Sequence, residues 1–252
     1  MIELNHVSKS YDDTVIIEDL SLKIPKGGIV SIIGPNGAGK STLLTMISRL
    51  LPIDKGTITV DGIDVTKAKG ADFAKRLSIL RQENSLTARI TVEDLVSFGR
   101  YPYSHGRLTK EDKEHIANAI DYLGLHPYRQ RFLDELSGGQ RQRAFVAMVI
   151  CQNTDYILLD EPLNNLDMRH AVSMMKRLRR TADELGKTIL LVMHDINFAS
   201  CYSNLIVALK EGKLVYSGAP EQMMQKEVLA KIYDMDIPVK DIDGQKIAVY
   251  YR

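Results

Sequence analysis

The 252-residue chain has only two cysteines, Cys151 and Cys201. They stand far apart and match no metal-ligand or redox spacing, which excludes a cysteine-built metal or redox site. Their apolar surroundings, AMVICQ and NFASCYS, predict two buried free thiols and a reducing, cytoplasmic compartment. Excess charge of either sign is also missing. Thirty-three Lys and Arg face thirty-two Asp and Glu, for a formal net charge of +1. The strong basic field of a dedicated nucleic-acid binder is therefore absent. No apolar run reaches the ~18 residues needed to cross a bilayer. The opening MIELNHVSKSYDD lacks the basic and apolar regions of a secretory leader. The expectation is a soluble chain that meets any membrane through a partner. Internal repeats, low-complexity tracts and long linkers are lacking too.

What is present is the pattern of an α/β protein. Hydrophobic residues make up 44% and charged ones 26%, ordinary for a globular chain. The length allows one large domain or a core with an inserted subdomain. IELNHV, VIIEDLSLKI and ITVDGIDV read as short strands, with a turn at Asp61-Gly62. IVSIIG at 29–34 is a continuous apolar run ending in glycine, the signature of a strand buried on both faces. A helix starting near Lys40 follows, and LSIL at 77–80 is a further strand. Between Glu83 and Gln152 the texture turns helical. TVEDLVSFG and TKEDKEHIANAIDYLGL each open with a threonine followed three residues later by an acid, a capping pattern. YILLD (156–160) and TILLVM (188–193) return to strand, separated by the helical MRHAVSMMKRLRRTADELG. This alternation predicts a parallel sheet with crossover helices. A short helix, EVLAKIYD, and two weak strands, IPVK and KIAVYY, close the chain.

Two stretches carry chemistry for phosphate. GPNGAGKST comprises Gly34, Pro35, Asn36, Gly37, Ala38, Gly39, Lys40, Ser41 and Thr42, and fits G-x-x-x-x-G-K-[ST] between strand and helix. Its glycines let backbone amides wrap phosphate oxygens, and the helix dipole adds favourable potential. Lys40 is placed to contact the β- and γ-phosphates, and the Ser41 hydroxyl to ligate Mg2+. YILLDEP supplies the complement. It puts Asp160 at the C-terminal end of a core strand, where open α/β sheets bind ligands. Asp160 is the candidate for the Mg2+ shell, and Glu161 the candidate general base toward a water at the γ-phosphate.

LSGGQ at 136–140 is a second helix start written for an anion. Ser137 can cap the helix, Gln140 can reach back to close a capping box, and Gly138 and Gly139 leave the backbone open to a ligand.

GPNGAGKST, LSGGQ, ILLDEP and a histidine after an apolar strand (LLVMHD, His194) stand in that order over nearly the whole chain. The chain thereby resembles the ATPase subunit of an ATP-binding cassette (ABC) transporter, LSGGQ being that family's own signature. The resemblance implies a P-loop NTPase (RecA-like) core with an N-terminal antiparallel β-subdomain and an inserted α-helical signature subdomain. The expected boundaries are 1–82 and 153–220 for the core, 83–152 for the insertion and 221–252 for a short C-terminal extension. It implies hydrolysis of ATP to ADP and phosphate with Mg2+. It also implies a head-to-tail dimer of two copies, each ATP lying between one phosphate loop and the partner's signature helix, which accounts for two helix starts. By motif, Tyr11 in SKSYDD matches the aromatic that stacks on adenine. Gln82 in ILRQEN matches the glutamine that joins Mg2+ and the attacking water to the helical insertion. His194 matches the switch histidine at the γ-phosphate, and Asp167 in LNNLD the acid of the following loop. Asn164 and Asn165 stand where many members carry serine and alanine.

A single cassette without coiled-coil or zinc insertions disfavours the members that act on DNA or ribosomes, so no nucleic-acid partner is expected. TVEDLVSFGRYPYS with LTKED, LGKTILLVMHDINFAS and the extension VLAKIYDMDIPV resemble the iron–siderophore, haem and cobalamin importers, nearest the siderophore branch. Exporters would share the catalytic motifs. The resemblance implies two membrane permease subunits, a substrate-binding protein acting indirectly, and a place on the cytoplasmic face of the cell membrane. Residues 83–107, with Arg89, Phe98, Arg100, Tyr101 and Tyr103, are expected to form an exposed groove for a permease helix.

Overall fold

The apolar run at 29–33 forms a strand whose side chains Ile29, Val30, Ile32 and Ile33 are all buried, as a strand covered on both faces requires. A computed structural model describes residues 1–82, 88–164 and 166–251. In chain order, β1 (Ile2–Tyr11), β2 (Thr14–Ile24) and β3 (Gly28–Ile33) lead into α1 (Lys40–Ile47). β4 (Lys55–Val60), β5 (Ile63–Asp64), α2 (Gly70–Ala74) and β6 (Leu77–Leu80) follow. Next come α3 (Val92–Ser97), α4 (Tyr101–Ser104), α5 (Lys110–Tyr122) and α6 (Gly138–Cys151). β7 (Tyr156–Asp160), α7 (Met168–Leu185), β8 (Thr188–Val192) and α8 (Ile196–Tyr202) continue the chain. It ends with β9 (Leu205–Lys210), β10 (Lys213–Gly218), α9 (Pro220–Met223), α10 (Lys226–Tyr233), β11 (Val239–Ile242) and β12 (Gln245–Ala248). The first of the two weak C-terminal strands begins at 239 rather than 237, the second spans 245–248, and the two close on Asp243 and Gly244. Both turn residues have positive φ, the geometry of a two-residue hairpin turn.

The chain divides into two compact units. One comprises Met1–Ala68 with Leu190–Arg252. Its N-terminal sheet is antiparallel in the order β2-β1-β4-β5. Ile2 pairs with both Ile24 and Val60, so Ile2, Leu4, Ile24, Ile58 and Val60 are buried together on the strands. β3 pairs in parallel with β9, and β10 adds antiparallel to β9.

The other unit is Lys69–Ile189. β6 and β7 run parallel with Leu80 opposite Leu159. Beside them α3, α5 and α6 pack on one another through Val92, Leu95, Val96, Ile116, Ile120 and Phe145. Both threonine caps form as their spacing predicts, Thr91 with Asp94 and Thr109 with Asp112. Asp112 also receives Arg100 Nε at 2.8 Å in a buried ion pair, and Arg100 Nη1 donates to the Cys151 carbonyl at 3.1 Å.

Two expectations are corrected. Arg100 is 3% exposed and serves as an internal strut, because its guanidinium has Asp112, the Cys151 carbonyl and the Tyr103 ring to face. Cys151 is buried, but Cys201 is exposed. On α8 the buried positions are Ile196, Ala199 and Ser200, one stripe of a 3.6-residue repeat, and Cys201 falls off it. Residues 83–87 of the expected groove, and Asn165, lie outside the described residues.

Candidate nucleotide site

The phosphate loop takes its shape from contacts that tolerate only glycine. Gly34, the residue after β3, has φ 140°, and a Cβ there would stand 2.0 Å from the Leu209 carbonyl oxygen. Gly39, with φ 93°, caps α1, and its Cβ would meet Ile17 Cδ1 at 2.6 Å and the Ile16 carbonyl oxygen at 2.9 Å. A glycine cap brings no side-chain acceptor to the first-turn amides of α1. Lys40 is buried and folds back across the loop, its Nζ donating to the carbonyls of Gly34 at 2.9 Å and Pro35 at 2.8 Å. Asn36 and Gly37 are exposed at the loop's crest, Ala38 is buried beneath it, and Ser41 and Thr42 open α1 half-buried. The result is an amide-lined turn with one cation folded over it, a cradle for a phosphate chain.

The same unit holds two further expected residues. Tyr11, where β1 turns into β2, is 49% exposed and offers a ring face to solvent; the Lys9 ammonium lies 5.8 Å from its centroid. His194 is exposed just beyond β8. The preceding Met193 amide donates to the Ile32 carbonyl at 3.1 Å, so His194 leaves the sheet level with the end of β3, where the phosphate loop starts.

In the other unit, β7 ends on the buried Asp160, and the chain then turns sharply, Glu161 adopting φ 51°. Because Leu80 lies opposite Leu159, Gln82 emerges from β6 level with Glu161. Gln82 Nε2 donates to Glu161 Oε2 at 2.8 Å. Asn164 Nδ2 donates to the same oxygen, and the Asn164 amide to the Glu161 carbonyl at 3.2 Å. Asn164 was not expected to touch the base. Its spacing of three from Glu161 was the available signal.

The second helix start forms as its residues predict. The Gln140 amide donates to Ser137 Oγ at 3.3 Å and the Ser137 amide to Gln140 Oε1 at 3.0 Å. Nothing lies within 4 Å of a Cβ built on Gly138, while one on Gly139 would stand 3.3 Å from Leu166 Cδ2. Asp167 caps α7 by accepting the His170 amide at 2.8 Å; that bond, then the His170 ring, hold its carboxyl below the usual range.

A strand, a glycine-rich loop and a helix with a lysine at its first turn define a P-loop nucleotide-binding protein. A family model described as ABC transporter matches residues 17–164. Over 251 residues the chain is 56% identical to the petrobactin import ATP-binding protein YclP of Bacillus subtilis, covering 100% of each. It is 55% identical to the petrobactin import ATP-binding protein FatE of Bacillus anthracis, covering 99% of this chain and 100% of that one. A solved dimeric ATP-binding cassette, in a post-hydrolysis state with ADP and Pi, superposes with a TM-score of 0.78. That structure is 28% identical, over 87% of this chain and 99% of its own. The protein belongs to the ABC transporter family and is an ATP-binding ATPase cassette. No helix among the described residues is long and apolar enough to cross a membrane.

Proposed function

We propose that this chain is the ATP-hydrolysing motor of an importer that takes up a ferric siderophore of the petrobactin kind through two separate permease subunits fed by a substrate-binding protein. The observation that carries this reading is the full-length similarity, above one half identical, to two petrobactin import ATP-binding proteins. As a peripheral subunit it sits on the cytoplasmic face of the membrane.

The assignments follow the chemistry of each group. The amides of the loop at 34–39 and Lys40 bind the β- and γ-phosphates, and Tyr11 stacks on the adenine, an interaction worth ~1–3 kcal/mol. Glu161 accepts the proton of the attacking water, a contribution of about 10²–10⁴-fold. Gln82 and Asn164 hold its carboxylate in place. His194 contacts the γ-phosphate from the end of β8. Ser41, Gln82 and Asp160 would hold Mg2+; hydroxyl, amide and carboxylate oxygens are the hard donors that suit this ion. When bound, the ion neutralises charge on the phosphates. Ser137, Gly138, Gly139 and Gln140 of a second copy close over the nucleotide in a head-to-tail dimer. Residues 83–152 act as the inserted signature subdomain between the core segments 1–82 and 153–220.

Deleting the gene and measuring uptake of labelled ferric siderophores, haem and cobalamin under iron limitation tests the cargo. The expected result is loss of ferric-siderophore uptake, restored by the wild-type gene but not by Lys40→Ala. Loss of haem or cobalamin import instead would overturn the siderophore assignment, and intact uptake of all three would overturn the importer reading.

A further inference from the structure

His194 is suspended between two fixed points. Before it, the Met193 amide is bonded to the Ile32 carbonyl of β3. After it, Asp195 caps α8 by accepting the amides of Asn197 at 2.8 Å and Phe198 at 3.2 Å. The position of α8 therefore sets the second anchor. This helix has only seven residues, too short to hold itself, and it packs against β3, α9 and β12.

Its attachment to β12 is specific. Asn197 Nδ2 donates to the Ala248 carbonyl at 3.2 Å, and the Ala248 amide donates to Asn197 Oδ1 at 2.8 Å. One side-chain amide thus pairs with residue 248 as a neighbouring strand would. One turn further along α8, Ser200 Oγ donates to the Lys246 carbonyl at 3.0 Å. Residues 246 and 248 lie two apart, so their backbone groups face the same edge of β12, away from β11. The helix covers an edge that would otherwise be open. The hairpin is itself tied down by Lys246, whose Nζ donates to the Glu221 carbonyl at 2.8 Å, and its open end is closed by the Val249 amide donating to the Pro238 carbonyl at 2.8 Å.

We propose that the C-terminal hairpin is a clamp that positions His194, with Asn197, bonded to Ala248, fixing α8 and hence the direction in which the imidazole is presented. The clamp rests on the proposed role of His194 at the γ-phosphate. Asn197 is a positioning residue and touches no nucleotide.

The full-length Asn197→Ala variant is expected to lose roughly 3- to 30-fold in kcat. Its KM for ATP should stay within about twofold, since phosphate binding does not pass through α8. In a His194→Ala background the same substitution should cost nothing further, because residues acting as one unit are not additive. The His194 ring resonance, identified by its disappearance in His194→Ala, should shift or broaden in Asn197→Ala. If that variant folds poorly, Asn197→Asp keeps the acceptor for the Ala248 amide, loses the donor, and should give a smaller effect of the same kind. A wild-type kcat, or losses that multiply in the double variant, would overturn the clamp. Should His194→Ala retain full activity, the fault lies in the role given to His194. The resonance then decides the clamp alone, and an unmoved signal overturns it.

Discussion

Gln82 reaches across the parallel pair β6–β7 to donate to the Glu161 carboxylate at 2.8 Å, and Asn164 donates to the same oxygen. Replacing Glu161 with glutamine keeps an acceptor for both donors and removes only the basicity. Glu161→Gln is expected to bind Mg-ATP while hydrolysing it at least ~100-fold more slowly. It should also accumulate as an ATP-bound dimer, visible by light scattering. A monomeric variant hydrolysing at the wild-type rate would refute both the base and the dimer.

Burial raises the Asp112 carboxyl, but the backbone of Thr109, the Arg100 guanidinium and the Thr109 hydroxyl outweigh it and hold the pKa at about 2, below the ordinary 3.8. A carboxyl depressed on folding contributes stability that is complete above its unfolded value and lost as pH falls through its folded one. The midpoint of denaturant unfolding should therefore decline between pH ~4 and ~2, and Asp112→Asn should flatten that decline.

Arg100→Glu would set two carboxylates together in a buried site, and breaking such a pair costs about 3–5 kcal/mol. A large fall in melting temperature is expected, which makes the substitution useless as a probe of permease contact. Phe98, 50% exposed, and Tyr101, 62% exposed, are the apt probes. Phe98→Glu with Tyr101→Glu should abolish transport while leaving the isolated subunit's ATPase within about twofold. Equal loss of both activities would assign these rings to folding.

The two thiols should separate under alkylation. Burial pushes the Cys151 thiol up to about 12, whereas Cys201 is exposed although burial and Asp195 also raise it. Mass spectrometry of native protein should find one adduct, at Cys201, and of unfolded protein two.

Legibility in the sequence followed the range of each interaction. The capping boxes of Thr91, Thr109 and Ser137 join residues three apart, so their spacing alone predicted them. The phosphate loop was equally readable, because its glycines, lysine and serine fall within nine consecutive residues, although the Leu209 and Ile16 carbonyls that demand Gly34 and Gly39 come from β9 and β2. Gln82 and Glu161 are 79 residues apart and meet through the register of two strands, which no local pattern encodes; only a family resemblance pointed to Gln82. Arg100 looked like a surface charge because Asp112 and the Cys151 carbonyl, its partners, arrive from α5 and α6. Cys201 was misplaced by an apolar neighbourhood in sequence that α8 distributes over two faces.

Glu161 holds a left-handed backbone, φ 51°, at the residue proposed as base. Side chains other than glycine adopt that region at a cost of roughly 1–2 kcal/mol. Glycine would release this cost but forfeit the carboxylate, its own entropy offsetting part of the gain. Selection for folding and selection for turnover therefore act in opposite directions at this one codon. Stabilising substitutions gathered without an activity screen would be expected to accumulate there, yielding robust proteins that no longer turn over ATP.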